Sequence, residues 1–248
     1  PSICFADPKK VIGHQMAVQR RSGDLLWFGN ISQCGLPHMD PLSTDVLTFW
    51  FGDTDLSRDM ERRDVWFRST AEFDAELISR FRDAHERAGG GAYDHFVDDP
   101  ASCLALVLML DQFPRNIFRG SPRAFGTDAK AREVTRIALD RGYDRGMASW
   151  RRIFLYLPFE HSENLADQDR ACALYENLGQ ERSLQSALDH REAIRTFGRF
   201  PHRNDVLGRV SSPEEEAYLQ DPPLWGKTED EVAAIEQRKA EQRGTGPF

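Results

Sequence analysis

The stretch Ala101–Phe113, ASCLALVLMLDQF, decides the fold. At about 100° per residue, Leu104, Leu106, Val107, Leu108, Met109 and Leu110 cover nearly every side of a helix. A helix that is apolar all round must be central, with other elements wrapped about it. Asp99 can accept a free backbone N–H at its start, and Pro100 suits the first turn. Pro114 lacks a donor and crowds the preceding turn, so it is expected to end the helix.

Helical period continues on both sides of this segment, and strand alternation is almost absent. Leu42 to Phe51 reads as a short aromatic helix ended by Gly52, and Asp64 to Ala88 as one long helix stopped by Gly89-Gly90-Gly91. Further helices are expected at Thr127–Arg141, Ala148–Asn164, Asp167–Leu178 and Ser183–Phe197. Capping boxes at Ser212–Glu215 and Thr228–Glu231 start two more, the last a charged helix over Glu229–Arg243. Short links make neighbours antiparallel hairpins. The fold class is therefore all-α, either a tetratricopeptide-like array or an irregular helical bundle. Helix order and length fit the array, but its strict 34-residue repeat is missing.

The chain has 248 residues, enough for one large domain. Residues 1–38 lack periodicity and read as a peripheral extension. Residues 39–226 form the expected helical domain, and 227–248 a charged C-terminal helix and tail. A truncation starting at Met39 is expected to keep its melting temperature. Net charge is −8, which lowers the expectation of a nucleic-acid partner. No apolar run approaches the roughly 18–20 residues of a membrane span. The four cysteines, Cys4, Cys34, Cys103 and Cys172, have no C-x-x-C spacing, and a reducing cytoplasm fits them best.

Polar groups on apolar faces mark a candidate site. Asp111 is the only charged residue of the central helix and falls in line with Leu104, Val107 and Leu108; Arg115 follows one turn later. On Ala148–Asn164 the stripe Trp150, Ile153, Phe154 and Leu157 extends to His161, flanked by Glu160, provided the helix passes Pro158. On Ser183–Phe197, Arg191 and Arg195 project into the face of Leu184, Ala187, Leu188 and Ile194. An unpaired buried charge costs several kcal/mol, so these groups must meet. Asp111 is expected to be bridged by Arg115, Arg191 or Arg195, with Glu160 and His161 close by. Arg199 and Arg203, after a helix C-terminus, belong to the same candidate set, with the helix macrodipole as the alternative explanation of both. Asn116, His202 and Asn204 complete the candidate set.

Four motifs in order carry a resemblance: FWFG (Phe49–Gly52), DQFPRN (Asp111–Asn116), LPFEHSEN (Leu157–Asn164) and FGRFPHRNDVLGR (Phe197–Arg209). The chain resembles bacterial domain-of-unknown-function family 924 over about residues 41–226. The resemblance implies a tetratricopeptide-type helical fold and names no activity.

P-loop, nucleophile-elbow and H-E-x-x-H signatures are all missing. No cofactor or metal is expected, because the arginines would repel a cation from Glu160, His161 and Glu163. The sequence favours a binding module whose arginines and histidines hold an anionic small molecule or peptide end. A hydrolase using Glu160 or His161 as general base is the second reading, and a purely structural ion-pair network the third. Neither membrane nor nucleic acid is an expected partner, and the sequence does not set the oligomeric state.

Overall fold

The computed structural model describes residues 39–244; the expected extension, with Cys4 and Cys34, lies outside them. The described chain is an all-α bundle with no strand among the described residues, and none of its helices is long and apolar enough to cross a membrane.

Helix α1 spans Pro41–Phe51. Asp40 Oδ1 accepts from the Leu42 amide at 2.8 Å, and Gly52 ends the helix at φ 87°, a conformation that only glycine adopts freely. Phe49, Trp50 and Phe51 enter the core. The expected single helix over 64–88 is divided in two. Asp64–Trp66 form one 3-10 turn, and α2 runs Ala71–Gly89 behind a Thr70 cap that accepts from the Phe73 amide at 3.2 Å. The break turns Trp66 inward, where it packs 6.5 Å from Trp50 and donates Nε1–H to the Trp50 carbonyl at 2.9 Å. The Thr70 side chain takes the Phe73 amide, which starts a new helix rather than continuing the preceding turn.

The central helix is fully buried but does not stop at Pro114. Helix α3 (Pro100–Val107) widens into a π turn at Leu108–Gln112 and continues as α4 (Phe113–Ile117). The Phe113 amide bonds to Leu108 O, five residues back. This shift lets the chain accept a proline without ending the helix. Carbonyls loosened by the turn find side-chain donors. His85 Nδ1 meets Met109 O at 2.8 Å, Thr127 Oγ1 donates to Leu110 O at 2.5 Å, and Arg115 donates to Asp111 O.

Helix α5 (Asp128–Asp140) and α6 (Ser149–Glu160) pack on α3. Helix α6 runs through Pro158, so His161 does sit at its C-terminal end. Helices α7 (Leu165–Leu178) and α8 (Glu181–Phe197) follow with short links, and each packs on its predecessor. Asn164 caps α7 through the Ala166 amide at 2.9 Å. Both expected capping boxes are present: Ser212 starts α9 (Pro213–Tyr218) and Thr228 starts α10 (Glu229–Gly244). Among the apolar residues of α10 whose burial is described, only Val232 is buried.

Candidate functional site

The π turn directs Asp111 across the bundle to the C-terminal end of α6. Its carboxylate is fully buried, with Oδ1 and Oδ2 2.9 and 3.0 Å from His161 Nδ1. Gln112 Nε2 donates to Oδ2, and Arg115 Nη1 stands 3.2 Å from Oδ1. Burial opposes the ionised form of Asp111, but Arg115 and His161 overcome it and hold the carboxyl far below its ordinary range. Burial and Arg115 push His161 down, against the pull of Asp111, so its imidazole stays neutral at pH 7. The contact with Asp111 assigns the proton to Nδ1 and leaves the Nε2 lone pair free to accept.

Arg115 also grips Asp128 with two bonds of 3.0 and 3.2 Å. Arg203 completes the cluster from the 3-10 turn Pro201–Arg203. Its Nη2 donates to His161 O at 3.1 Å, and Nη1 lies 3.5 Å from Asp128 Oδ2. Its charge stands over Phe125 and Phe200, 4.4 and 4.6 Å from the ring centroids, and Nε has no partner. Burial, then Arg115, lower its pKa to about 10.

Glu160 faces a different set. Ser186 Oγ donates to Oε1 at 2.8 Å, and His190 Nδ1 stands 3.2 Å from the same oxygen while bonding Ser186 O at 2.8 Å. Burial raises the Glu160 carboxyl to about 7 and drives His190 well below its ordinary value. The two imidazoles, His161 and His190, lie 6.3 Å apart. Trp225 covers His190 face to face at 3.6 Å.

Two cavities, of about 270 and 730 Å³, open on this cluster and share His161, His190 and Trp225 as walls. The smaller has an apolar side of Trp66, Phe67, Leu157, Leu224, Trp225 and Val232. Its charged wall is Arg68, Arg115, Arg119 and Lys227, with Glu160 the only acid. Asp74, Asp111 and Asp128, which pair with Arg119 and Arg115, are not part of that wall. A third, more open hollow of about 560 Å³ adjoins Asp128, His161 and Arg203.

The structure thus joins Asp111, Arg115, Glu160, His161 and Arg203. Asn116 lines the smaller cavity and donates to Asp74 Oδ1 at 2.7 Å. His202 lines the larger, lowered to about 3 by burial. The other expected residues are elsewhere. Arg199 makes two 2.7 Å bonds to Glu215, and Asn204 donates to Ser211 at 3.0 Å and to Glu215, so both secure the start of α9.

Arg191 and Arg195 correct the helical phasing. Arg191 pairs with Asp169 at 3.4 Å, and Arg195, 68% exposed, with Glu192 at 2.8 Å. The buried stripe of α8 is Ala187, His190, Ala193 and Ile194, while Leu184 and Leu188 are half-buried. The inward direction lies about 100° back from the arginines, and His190 occupies it. Spacings of three and four from Ala187 to His190 and on to Ile194 carried that signal. Lys227 and Trp225 follow no periodic pattern and had none. Among the described residues no group of three or more His, Cys, Asp or Glu side chains is placed to hold a metal ion.

Comparison with known proteins gives a family but no activity. The model of the family described as "Bacterial protein of unknown function (DUF924)" matches residues 46–223. A solved structure of a protein of unknown function from Agrobacterium tumefaciens is 42% identical, with a TM-score of 0.67, over 73% of this chain and 98% of that one. No curated protein matches the chain.

Proposed function

Taking as premise that this chain belongs to the DUF924 family, whose bacterial members are described without a function, we propose that it is a binding module for a small anionic molecule with an apolar part. What supports the reading is the asymmetry of the smaller cavity. Four cations face it, while Asp74, Asp111 and Asp128, the acids paired with Arg119 and Arg115, are absent from the wall, so basic groups outnumber acids at its surface. Glu160, the lone acid there, is raised by burial to about 7 and so is only about half ionised near neutral pH. A carboxylate or phosphate would meet the guanidinium and ammonium groups, and its hydrocarbon portion the aromatic side.

Lys227 is the best test residue, because its one ion pair, with Glu231, is loose at 3.6 Å. Thermal shift with inorganic phosphate, citrate and benzoate is expected to show a saturable rise in Tm for at least one anion. Lys227→Met should weaken that response about tenfold, on the order of the 1.4 kcal/mol of a charge-assisted contact. Absence of any response, or an undiminished one in Lys227→Met, overturns the reading in favour of a purely structural network.

One observation favours a hydrolase as second reading. His161 has its Nδ1 oriented by a buried carboxylate and borders all three hollows, the placement of a general base. Loss of anion binding without any effect of His161→Asn on turnover of a bound ester would remove it.

A further inference from the structure

One short segment, Pro222 to Lys227, lies between α9 and α10 and contributes to the walls shared by the two cavities. Its residues Trp225, Gly226 and Lys227 line both hollows. We propose that this segment is a strap latched by the Trp225–His190 stack, and that its release joins the two hollows into one chamber beside His161. The inference rests on the cavity of the binding reading, but its test needs no ligand, so either can fail alone.

Few contacts hold the strap. Within it the only backbone bond is Lys227 N to Leu224 O, at a long 3.3 Å. From outside, Arg119 donates to Gly226 O at 2.5 Å and Lys227 pairs with Glu231 at 3.6 Å; just beyond the strap, the Glu229 amide reaches Ser69 O at 3.4 Å. The rest of its grip is aromatic: the indole of Trp225 on His190 at 3.6 Å, edge-on to His202 at 5.4 Å and to Phe200 at 6.1 Å. Trp225 is half-buried, whereas His190 beneath it is buried. Segments with few ladder bonds and exposed backbone open first, without global unfolding.

The flanks suit a hinge. Pro222-Pro223 fixes φ on one side, and Gly226 at φ 69° permits a reversal on the other. Beyond it, Val232 is anchored in the bundle, so movement is confined to the residues between. His190 stays behind, because its Nδ1 is bound to Ser186 O within its own helix.

Diethyl pyrocarbonate, which acylates unprotonated imidazole, reads the latch directly. His190 in the wild-type chain is expected to react slowly at pH 7, while exposed His95 reacts freely as an internal control. Trp225→Ala should speed His190 about tenfold or more at unchanged His95 rate and native circular dichroism, and Trp225→Phe should stay near wild type. In native-state hydrogen exchange the Lys227 amide should open independently of denaturant. An unchanged His190 rate in Trp225→Ala, equal rates in the Phe and Ala variants, or strap exchange only through global unfolding would each overturn the proposal.

Discussion

His161 Nδ1 lies 2.9 Å from Asp111 Oδ1 although 50 residues separate them in the chain. The contact joins the π turn of the central helix to the C-terminal end of α6 and holds both groups in defined protonation states. Asp111→Ala leaves Arg115 with Asp128 alone and leaves His161 unanchored. Loss of one partner from a buried pair costs about 3–5 kcal/mol, and the retained Asp128 places the expected loss near the lower figure. Urea denaturation at pH 7 measures it. The folded pKa of Asp111 is depressed below 3.8, so its contribution is present above about pH 4 and lost as pH falls. The loss in the variant should therefore shrink in acid.

Glu160 has the opposite sign. Its carboxyl rises from 4.5 to about 7 on folding, so the native state binds the extra proton. Its contribution is full below pH 4.5 and lost as pH rises to about 7, by an order-of-magnitude maximum of about 3 kcal/mol. Glu160→Gln keeps an acceptor for Ser186 without the charge. The variant should gain on wild type at pH 8 and not at pH 4.5. Denaturation curves at the two values decide; a gain equal at both would show that charge burial is not the cause.

Thr127 tests the proline-tolerant π turn. Its hydroxyl makes no cap bond to α5 and instead satisfies Leu110 O, the carbonyl four residues before Pro114. Thr127→Val preserves shape and removes only that donor. Leaving the carbonyl unpaired should cost about 1–3 kcal/mol in urea unfolding, with helical circular dichroism unchanged.

Arg195 supplies the control. Its guanidinium is in solvent and bonded to Glu192 on its own helix. Arg195→Ala should leave Tm and the anion response unaltered. A loss of ligand response in this variant would mean that anions bind on the outer face of α8 rather than in the cavity.

Local readings of the sequence succeeded wherever the deciding contact is within a few residues. The buried segment around Leu104–Leu110, the Asp99 and Ser212 caps and the Gly52 stop all stand as expected. Pairing of Asp111 with Arg115 and the nearness of His161 were legible because unpaired buried charge is so costly. Phasing of α8 was not, because Leu184 and Leu188 suggested a centre about one residue off, and that rotation exchanged Arg191 for His190 as the inward group. Likewise Pro114 looked like a terminus, since the shift that accommodates it depends on donors from Thr127, His85 and Arg115.

By itself the sequence determined an all-α chain, a central buried helix and the need for its acids and arginines to meet, because helical periodicity and desolvation act residue by residue. Tertiary structure alone decided which arginine reaches Asp111, that His190 joins His161 on the cavity wall, and that Trp225 lies over His190. Those outcomes depend on rotations of about one residue and on chain segments far apart in sequence, and only the packed bundle specifies either.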